Sequence, residues 1–391
     1  MTQEYKAELI VDLLANRISM DNLRNLRQEV DADDLATIIQ HIYDLNETYI
    51  LKLSAVEGIL RKLNTIKNQN RNEQFRRKIK KGWRDINDKS KKVVLAEGDS
   101  WFNYPVILTD IIDRIGMEKD LAVYSIAAGG DWLLNMLTGR EYVEELSVLH
   151  PDVFLISGGG NDLVGARRLA TILAPVGNSA EFQHCEWAQQ LVANANTRFI
   201  PFEERFNEGV KHLSKDFYAL LMFFHLQYYF LINGILTAGG GTPKFDDITI
   251  ITQGYDYPIP SYKKGFGINI AKWYVPFIRM FLGHGSWLKT PLLIRGITNQ
   301  QIRENILYAM IYLFNEMMIE IGVIFNKEMA LGNRVFHIDS RDSVGRKGWT
   351  DELHPKPEHF LRTGKIFVEC IRQTTPPDYA HVYVVKNHTA S

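Results

Sequence analysis

Cysteine is scarce in this chain of 391 residues, which contains only Cys185 and Cys370 and no Cys-x-x-Cys pair. This argues against a disulfide framework and against a structural zinc site. An excess of charge of one sign is also missing, since the formal net charge is -1, whereas a general nucleic-acid binder carries a strongly basic balance. The first residues lack the basic start and long apolar core of a secretory signal. We therefore expect a cytoplasmic protein that does not bind nucleic acid.

Apolar residues, by contrast, are plentiful. Hydrophobic residues make up 46% of the sequence and charged residues 23%, which is an ordinary composition for a globular protein with a large core. The apolar stretch over residues 217–238 is long enough to cross a bilayer. It includes the polar residues His225, Gln227 and Asn233, so a helix buried inside a large domain is the simpler explanation of this stretch. We interpret it as a core helix, with a transmembrane span or contact at a membrane surface as the alternatives.

The N-terminal part differs from the rest of the chain in its pattern of apolar residues. Residues 1 to about 66 have helical periodicity with almost no Gly or Pro, which predicts an all-helical module. Residues 71–92 then carry ten Lys or Arg against three Asp or Glu. Such a run is typical of a solvated helix face or linker, and binding of phosphate or anionic lipid is the alternative. We place a helical N-terminal module with a basic linker over 1–90 and a second domain over 91–391.

Strands and helices alternate from residue 92 onward. The strand candidates are "VVLAE", "LAVYSIA", "VFLISGG", "ITIITQGY" and "RVFHID", each followed by a helical or loop segment. This alternation predicts an α/β fold with a parallel sheet and helices on both faces. Two insertions interrupt it, a polar helical one near 175–215 and an aromatic, basic one over 262–296. The second follows the fourth strand, where it forms either a lid over a site or an ordinary packed subdomain.

Small and polar residues lie where these strands end. Ser100 follows the first strand in "GDSWF", Gly130 follows the second and Asn161 the third, while Asp351 and His354 precede the last helix in "WTDELHP". Ligands of open α/β sheets gather at the carboxyl ends of the strands. A plainer interpretation is available for each position taken alone, because Ser100 fits a helix N-cap and the glycines fit tight turns.

Taken in order, these motifs resemble those of the SGNH hydrolase superfamily, also called GDSL-type esterases and lipases. The resemblance extends from residue 92 to about 375 and leaves the helical N-terminus unexplained. It implies a flavodoxin-like three-layer α/β/α domain with a parallel sheet. The matching blocks are Gly98-Asp99-Ser100, Gly130-Asp131, Gly159-Gly160-Asn161-Asp162 and Asp351-Glu352-Leu353-His354-Pro355.

The resemblance also implies the roles of the site residues. Ser100 would be the nucleophile, His354 the base that removes its proton, and Asp351 the carboxylate that orients the imidazole. Attack by Ser100 would leave a negative charge on the carbonyl oxygen of the substrate. This oxyanion would accept hydrogen bonds from the backbone N–H groups of Ser100 and Gly130 and from the side-chain amide of Asn161. This chemistry is complete without a metal, and we expect no cofactor.

Aromatic residues are the candidates for substrate contacts. Trp101 and Phe102 replace the aliphatic residue that usually follows the Gly-Asp-Ser block, so they either shape the pocket wall or anchor the turn. Trp273 and Phe277 lie in the insertion over 262–296, where they would cover an acyl chain.

Other histidines fit the site less well. A second Asp-x-x-His pair, Asp378 and His381, lies in a Pro-rich tail after the final helix. His225 and His337 stand in apolar surroundings, which is typical of core histidines. We therefore expect none of these histidines to act as the base.

The predicted function is that of a serine-dependent ester hydrolase, an esterase or lipase, that forms an acyl-enzyme on Ser100. Its substrate would be a small-molecule or lipid ester, with a long acyl chain under the lid. The alternative is a signalling or defence effector in which residues 1–90 recruit a protein partner that controls the hydrolase domain.

Overall fold

A six-stranded, all-parallel sheet organises the fold. The computed structural model describes residues 2–31, 34, 65–81, 90–104, 109–175, 177–195, 203–237, 245, 247–261, 287–329 and 332–387. The strands are β1 (Lys92–Gly98), β2 (Leu121–Ser125), β3 (Val153–Ser157), β4 (Thr249–Gln253), β5 (Val335–Asp339) and β6 (Val382–Val384). They are ordered β2-β1-β3-β4-β5-β6, and every neighbouring pair is parallel. The prediction of an α/β fold with a parallel sheet is confirmed.

Each of the five predicted strand segments contains a strand, and the reason is burial on both faces. Val94, Leu95 and Ala96 of β1 are all fully buried, as expected for the inner strand of a parallel sheet covered by helices. The sixth strand, β6, lies in the segment that the sequence identifies only as a Pro-rich tail. It has three residues, too few for a period-two pattern, and its pairing with β5 makes it a strand.

Helices connect and cover the strands in an arrangement compatible with three α/β/α layers. Helix α6 packs against β1, while α13 and α14 pack against β5. Numbered in chain order, the described helices are α1 (Gln3–Leu14), α2 (Met20–Glu29), α3 (65–80), α4 (Ile111–Gly116), α5 (Leu133–Gly139), α6 (Glu141–Leu149), α7 (Gly160–Val164), α8 (Glu181–His184), α9 (Glu186–Ala193), α10 (Glu203–Val210), α11 (Lys215–Thr237), α12 (Lys289–Ile294), α13 (Gln300–Val323) and α14 (Pro357–Arg372).

The two longest helices each contain a long apolar window. Within the described residues, α11 and the segment Gln300–Glu328, which begins with α13, are long and apolar enough to cross a membrane, and 83% of each apolar window is buried inside the protein. The buried helices of a globular core pass the same test of length and composition. His225 of α11 and His337 of β5 are buried as well, in agreement with their interpretation as core histidines.

The N-terminal helices share the core of the sheet domain. Leu9 and Leu13 of α1 and Leu23 of α2 belong to the same apolar cluster as the central strands. The Asn16 side chain, just after α1, donates to the Glu181 carbonyl over 2.8 Å. Residues 35–64 and 82–89 lie outside the described part, so the proposed boundary near residue 90 stays a prediction.

Helix α3 covers the edge of the sheet through two asparagines spaced by one helical turn. The Asn72 amide pairs with both backbone groups of Ser125 at the end of β2, donating over 3.0 Å and accepting over 2.9 Å. Asn68 donates to the Ala127 carbonyl over 2.9 Å. These side chains satisfy backbone groups that an edge strand leaves unpaired, and so protect the edge from pairing with another chain.

The basic run that begins in α3 is partly used inside the fold. Arg71 and Lys67 both bind the buried carboxylate of Asp110, with Arg71 Nη2 at 2.6 Å from each oxygen and Lys67 Nζ at 2.5 Å from Oδ2. Asp110 also caps α4 by accepting from the Asp113 N–H over 3.1 Å. The prediction of a solvated basic face therefore holds for residues such as Arg77 but not for Arg71, which is buried.

We expect Asp110→Ala to lower the free energy of unfolding by about 3–5 kcal/mol, because it removes the buried carboxylate that Arg71 and Lys67 share. The buried Arg71 guanidinium then keeps the partly exposed Asp113 as its described carboxylate partner. Urea unfolding followed by circular dichroism measures this change. The matched control is Glu73→Ala, which removes an exposed pair with Arg77 on the same helix and should change stability by less than about 0.5 kcal/mol. Equal effects of the two substitutions would contradict the structural role of the buried pair.

Candidate active site

The turn after β1 places Ser100 at the carboxyl edge of the sheet. The Asp99 side chain accepts from the Trp101 N–H over 3.0 Å, and the Asp99 carbonyl accepts from the N–H of Asn103 over 2.9 Å. A side chain on Gly98 would bring its Cβ within 2.8 Å of both the Phe102 ring and a backbone oxygen of β3. The strand therefore ends in glycine because the chain folds back tightly over it.

Three side chains form a continuous hydrogen-bonded chain at this turn. Ser100 Oγ lies 2.8 Å from His354 Nε2, and His354 Nδ1 lies 2.9 Å from Asp351 Oδ2 and 3.0 Å from Oδ1. Asp351 Oδ1 also accepts from the His354 N–H over 2.7 Å, which fixes the loop that carries both residues. The structure thus brings together the three residues that the sequence predicts for the site, although Ser100 and His354 are 254 positions apart in the chain.

The electrostatics of this group favour an ionised Asp351. Burial alone would raise its pKa, but the His354 charge and the hydrogen bonds from His354 and the Leu353 N–H outweigh burial and lower it. An ionised carboxylate beside Nδ1 keeps the proton on that nitrogen and leaves Nε2 free to accept one from Ser100. The arrangement can therefore activate a serine hydroxyl.

The predicted oxyanion donors lie on the two neighbouring loops. Gly130 follows β2 with a φ of 87°, in the left-handed region that favours glycine. Asn161 opens α7 after β3, and its amide donates to the Asp131 carbonyl over 2.8 Å. Ser100 and Asn161 line one small pocket, while Gly130 adjoins it through the contact of Asp131 with Asn161.

The two aromatic residues after Ser100 have different positions. Trp101 lines the pocket beside Ser100 and packs edge-on against Tyr255, with the ring centroids 5.4 Å apart. Phe102 is fully buried against Phe367 of α14, at 5.6 Å between centroids. Trp101 is thus placed in the pocket wall, whereas Phe102 anchors the turn.

Only the end of the insertion over 262–296 can be described. Trp273 and Phe277, with the rest of 262–286, lie outside the described residues. Leu288 and Leu292 are fully buried, and α12 packs against the 3-10 helix Gly165–Ala170. The predicted lid therefore stays a prediction.

The competing Asp-x-x-His pair has structural contacts around β6. Asp378 Oδ2 accepts from the Val384 N–H over 2.9 Å, and His381 Nε2 lies 3.0 Å from the Ile319 carbonyl. Burial lowers the pKa of His381 to about 4. This histidine therefore packs between β6 and α13.

Two tyrosines that form hydrogen bonds at the site were not identified from the sequence. The Tyr104 hydroxyl donates to Asp351 Oδ2 over 3.2 Å, and its ring lies 4.4 Å from the His354 ring. The Tyr255 hydroxyl donates to Asp99 Oδ2 over 2.5 Å and accepts from the Gly160 N–H over 3.0 Å. The position of Tyr255 just beyond β4, at the same sheet edge, is a signal that could have identified it.

Both tyrosines keep their protons, so they act as donors. Burial and the neighbouring Asp351 raise the pKa of Tyr104 well above its usual value. Burial also raises the pKa of Tyr255, and the charge of Asp99 adds to that effect. Asp99 itself has a pKa of about 6, because burial raises it more than the hydrogen bonds from Tyr255 and the Trp101 N–H lower it.

Glu352, between Asp351 and His354, was also not anticipated as a site residue. It is fully buried, and it accepts from the N–H groups of Ser261, Leu288 and Lys289 over 2.8, 3.0 and 3.0 Å. Burial raises its pKa to about 7 despite these donors. Glu352 thus connects the chain on both sides of residues 262–286 to the loop that carries His354.

Comparisons of the chain with family models, with curated proteins and with solved structures find no match. Among the residues that the structure describes, no group of three or more His, Cys, Asp or Glu side chains is arranged to hold a metal ion.

We expect Tyr104→Phe to slow the covalent labelling of Ser100 by a fluorophosphonate about 2- to 10-fold, because it removes one hydrogen bond worth ~1 kcal/mol from the carboxylate that orients His354. The pH dependence of labelling should shift as well, which a purely structural residue would not cause. Tyr383→Phe is the control, since that hydroxyl donates to the Thr375 carbonyl beside β6. A Tyr104→Phe protein that matched this control in rate and pH profile would contradict the positioning role.

Proposed function

We propose that this protein is a serine-dependent ester hydrolase of the SGNH type, with Ser100 as nucleophile, His354 as general base and Asp351 as the orienting carboxylate. The observation that carries the proposal is the hydrogen-bonded chain from Ser100 Oγ through His354 to Asp351. The order of the Gly-Asp-Ser, Gly-Asp, Gly-Asn-Asp and Asp-x-x-His-Pro motifs along the chain supports it, as does the parallel sheet.

The first half of the reaction would acylate the enzyme. Ser100 Oγ attacks the ester carbonyl carbon while its proton passes to His354 Nε2, and Asp351 stabilises the imidazolium that forms. The carbonyl oxygen becomes an oxyanion. Hydrogen bonds to it would come from the N–H groups of Ser100 and Gly130 and from the Asn161 amide. The tetrahedral intermediate collapses, the bond to the alcohol oxygen breaks, and His354 returns the proton to the leaving alcohol.

The second half would regenerate Ser100. A water molecule gives a proton to His354 Nε2 as its oxygen attacks the acyl carbon, and the second intermediate expels Ser100 Oγ, which regains the proton. Both halves begin with neutral His354.

We place the protein in the cytoplasm, acting on a small-molecule or lipid ester without a cofactor. Recruitment of a protein partner through residues 1–90 stays the alternative, although α1 and α2 pack on the same core as the sheet. The three-layer SGNH arrangement is likewise part of the proposal.

A fluorophosphonate probe should label Ser100, and Ser100→Ala and His354→Ala should each lower hydrolysis of p-nitrophenyl acetate by at least ~10³-fold. The expected loss is large because the nucleophile and its base act as one unit. Peptide mapping of the labelled protein locates the modified residue. Asp378→Asn is the control and should keep its activity. A label on a different serine, or an active Ser100→Ala protein, would refute the proposed mechanism.

Asn161→Ala should lower kcat by ~10²–10³-fold with a small change in KM, because an oxyanion donor acts mainly in the transition state. Steady-state kinetics on p-nitrophenyl acetate separates the two constants. Asn194→Ala is a suitable control, since that side chain is exposed after α9 and accepts from the Gln190 amide over 2.8 Å. A loss confined to KM would remove Asn161 from the oxyanion site.

A further inference from the structure

Two cavities of opposite character flank the end of β1, where Ser100 lies. In the strand order β2-β1-β3-β4, the first cavity is lined by residues beyond β1, β3 and β4. The second is lined by Glu97 of β1, by the end of β2 and by the turn that follows β2. An ester bound at Ser100 has two parts, an acyl group and an alcohol. Each cavity is therefore a candidate for one of these parts.

The cavity on the β3 side is small and apolar. Its volume is about 40 Å³, whereas an apolar cavity of ~150 Å³ is needed to hold a benzene ring. The described side chains that wall it beside Ser100 include Trp101, Leu163, Val164, Ile311 and Leu353. Among the described residues this cavity has room for a methyl or ethyl group, and a longer acyl chain would extend beyond it.

The cavity on the β2 side is large and polar. Its volume of about 630 Å³ is within the ~300–1,000 Å³ range of small-molecule sites. It begins at Gly129 and Gly130, the turn assigned to the oxyanion donor, and extends between α3 and the α5–α6 segment. A large leaving group could therefore occupy it while the ester carbonyl is at Ser100.

A buried carboxyl group lies in this polar cavity. Glu97 is 4% exposed, and its Oε1 accepts from the Gly98 N–H over 2.9 Å. Burial, with the charge of Asp131 nearby, raises the pKa of Glu97 well above its usual value. A neutral carboxyl group both donates and accepts, which matches the hydroxyl groups of a polyol.

The charges around the cavity disfavour an anionic alcohol. Among the described residues, Glu97, Asp131 and Glu141 face it, together with one cation, Arg76. A phosphate or carboxylate placed here would meet more acidic than basic groups and would lose its hydration. A neutral alcohol with several hydroxyls has no such cost and can bond to carboxyl, guanidinium and amide groups.

We propose that the substrate is an ester between a short acyl group, of two or three carbons, and a large neutral alcohol rich in hydroxyls, such as a sugar. The acyl group occupies the apolar pocket beside Ser100, and the alcohol occupies the polar cavity that contains Glu97. This inference rests on the proposed function and narrows it, and it replaces the long acyl chain expected from the sequence with a short one.

The experiment compares four substrates with the full-length protein: methyl glucoside carrying one acetyl ester, the same glucoside carrying one octanoyl ester, ethyl acetate, and acetylated glycerol phosphate. We expect kcat/KM to be highest on the acetylated glucoside, by at least ~10-fold over each of the others. A higher value on the octanoyl ester or on the glycerol phosphate ester would overturn the proposal.

Two variants test the cavity itself through the ratio of kcat/KM on acetylated glucoside to that on ethyl acetate. Glu97→Leu and, as a variant at an exposed position, Glu141→Ala should each lower this ratio at least ~3-fold. The matched control is Glu144→Ala, an exposed residue one turn along the same helix, which should leave the ratio unchanged.

An unchanged ratio in both cavity variants would overturn the assignment of the alcohol site. This failure is distinguishable from failure of the proposed function. If Ser100 is labelled and ethyl acetate is hydrolysed in a Ser100-dependent way, the hydrolase stands even when the sugar preference does not. If none of the four esters is hydrolysed in a Ser100-dependent way, both proposals fall.

Discussion

The parallel pairing of β1 between β2 and β3 is the constraint on which the site depends. Gly98 pairs with Ser157, and Ala96 pairs with Ser125, so the three strands end close together at one edge of the sheet. Parallel strands need long connections, and the chain segments that leave this edge must each turn away into a helix. Ser100, Gly130 and Asn161 lie in those turns, which explains why residues far apart in the sequence come together.

Buried carboxylates join neighbouring loops at this edge. Asp162 accepts from the Leu133 N–H over 3.1 Å and so connects the loops after β3 and β2. Asp256 accepts from the N–H groups of Asp342 and Val344 and so connects the loops after β4 and β5. Glu352 likewise connects the chain on both sides of residues 262–286 to the loop that carries His354. Because a buried carboxylate left without donors is costly, these contacts limit how far any one loop can move alone.

The N-terminal part belongs to this architecture as far as it can be described. Helix α3 caps the edge strand β2 with Asn68 and Asn72, and its Arg71 binds Asp110 next to the turn that carries Tyr104. The same helix forms one wall of the polar cavity beside Gly130. A segment that looks like a basic linker in the sequence thus contributes to the walls of the proposed site.

Local sequence patterns determined the α/β class, five of the six strands and the residues of the Ser100, His354 and Asp351 group, because buried parallel strands are continuous apolar runs and their ends carry recognisable turn residues. Tertiary structure decided the rest. The strand β6 is too short to have a pattern and exists through its pairing with β5. Tyr104, Tyr255 and Glu97 belong to no local motif, since their roles come from contacts with chain segments distant in sequence or from the cavity around them. The strand order decided which cavity lies on which side of Ser100, because long-range pairing places the loops, and no local propensity encodes it.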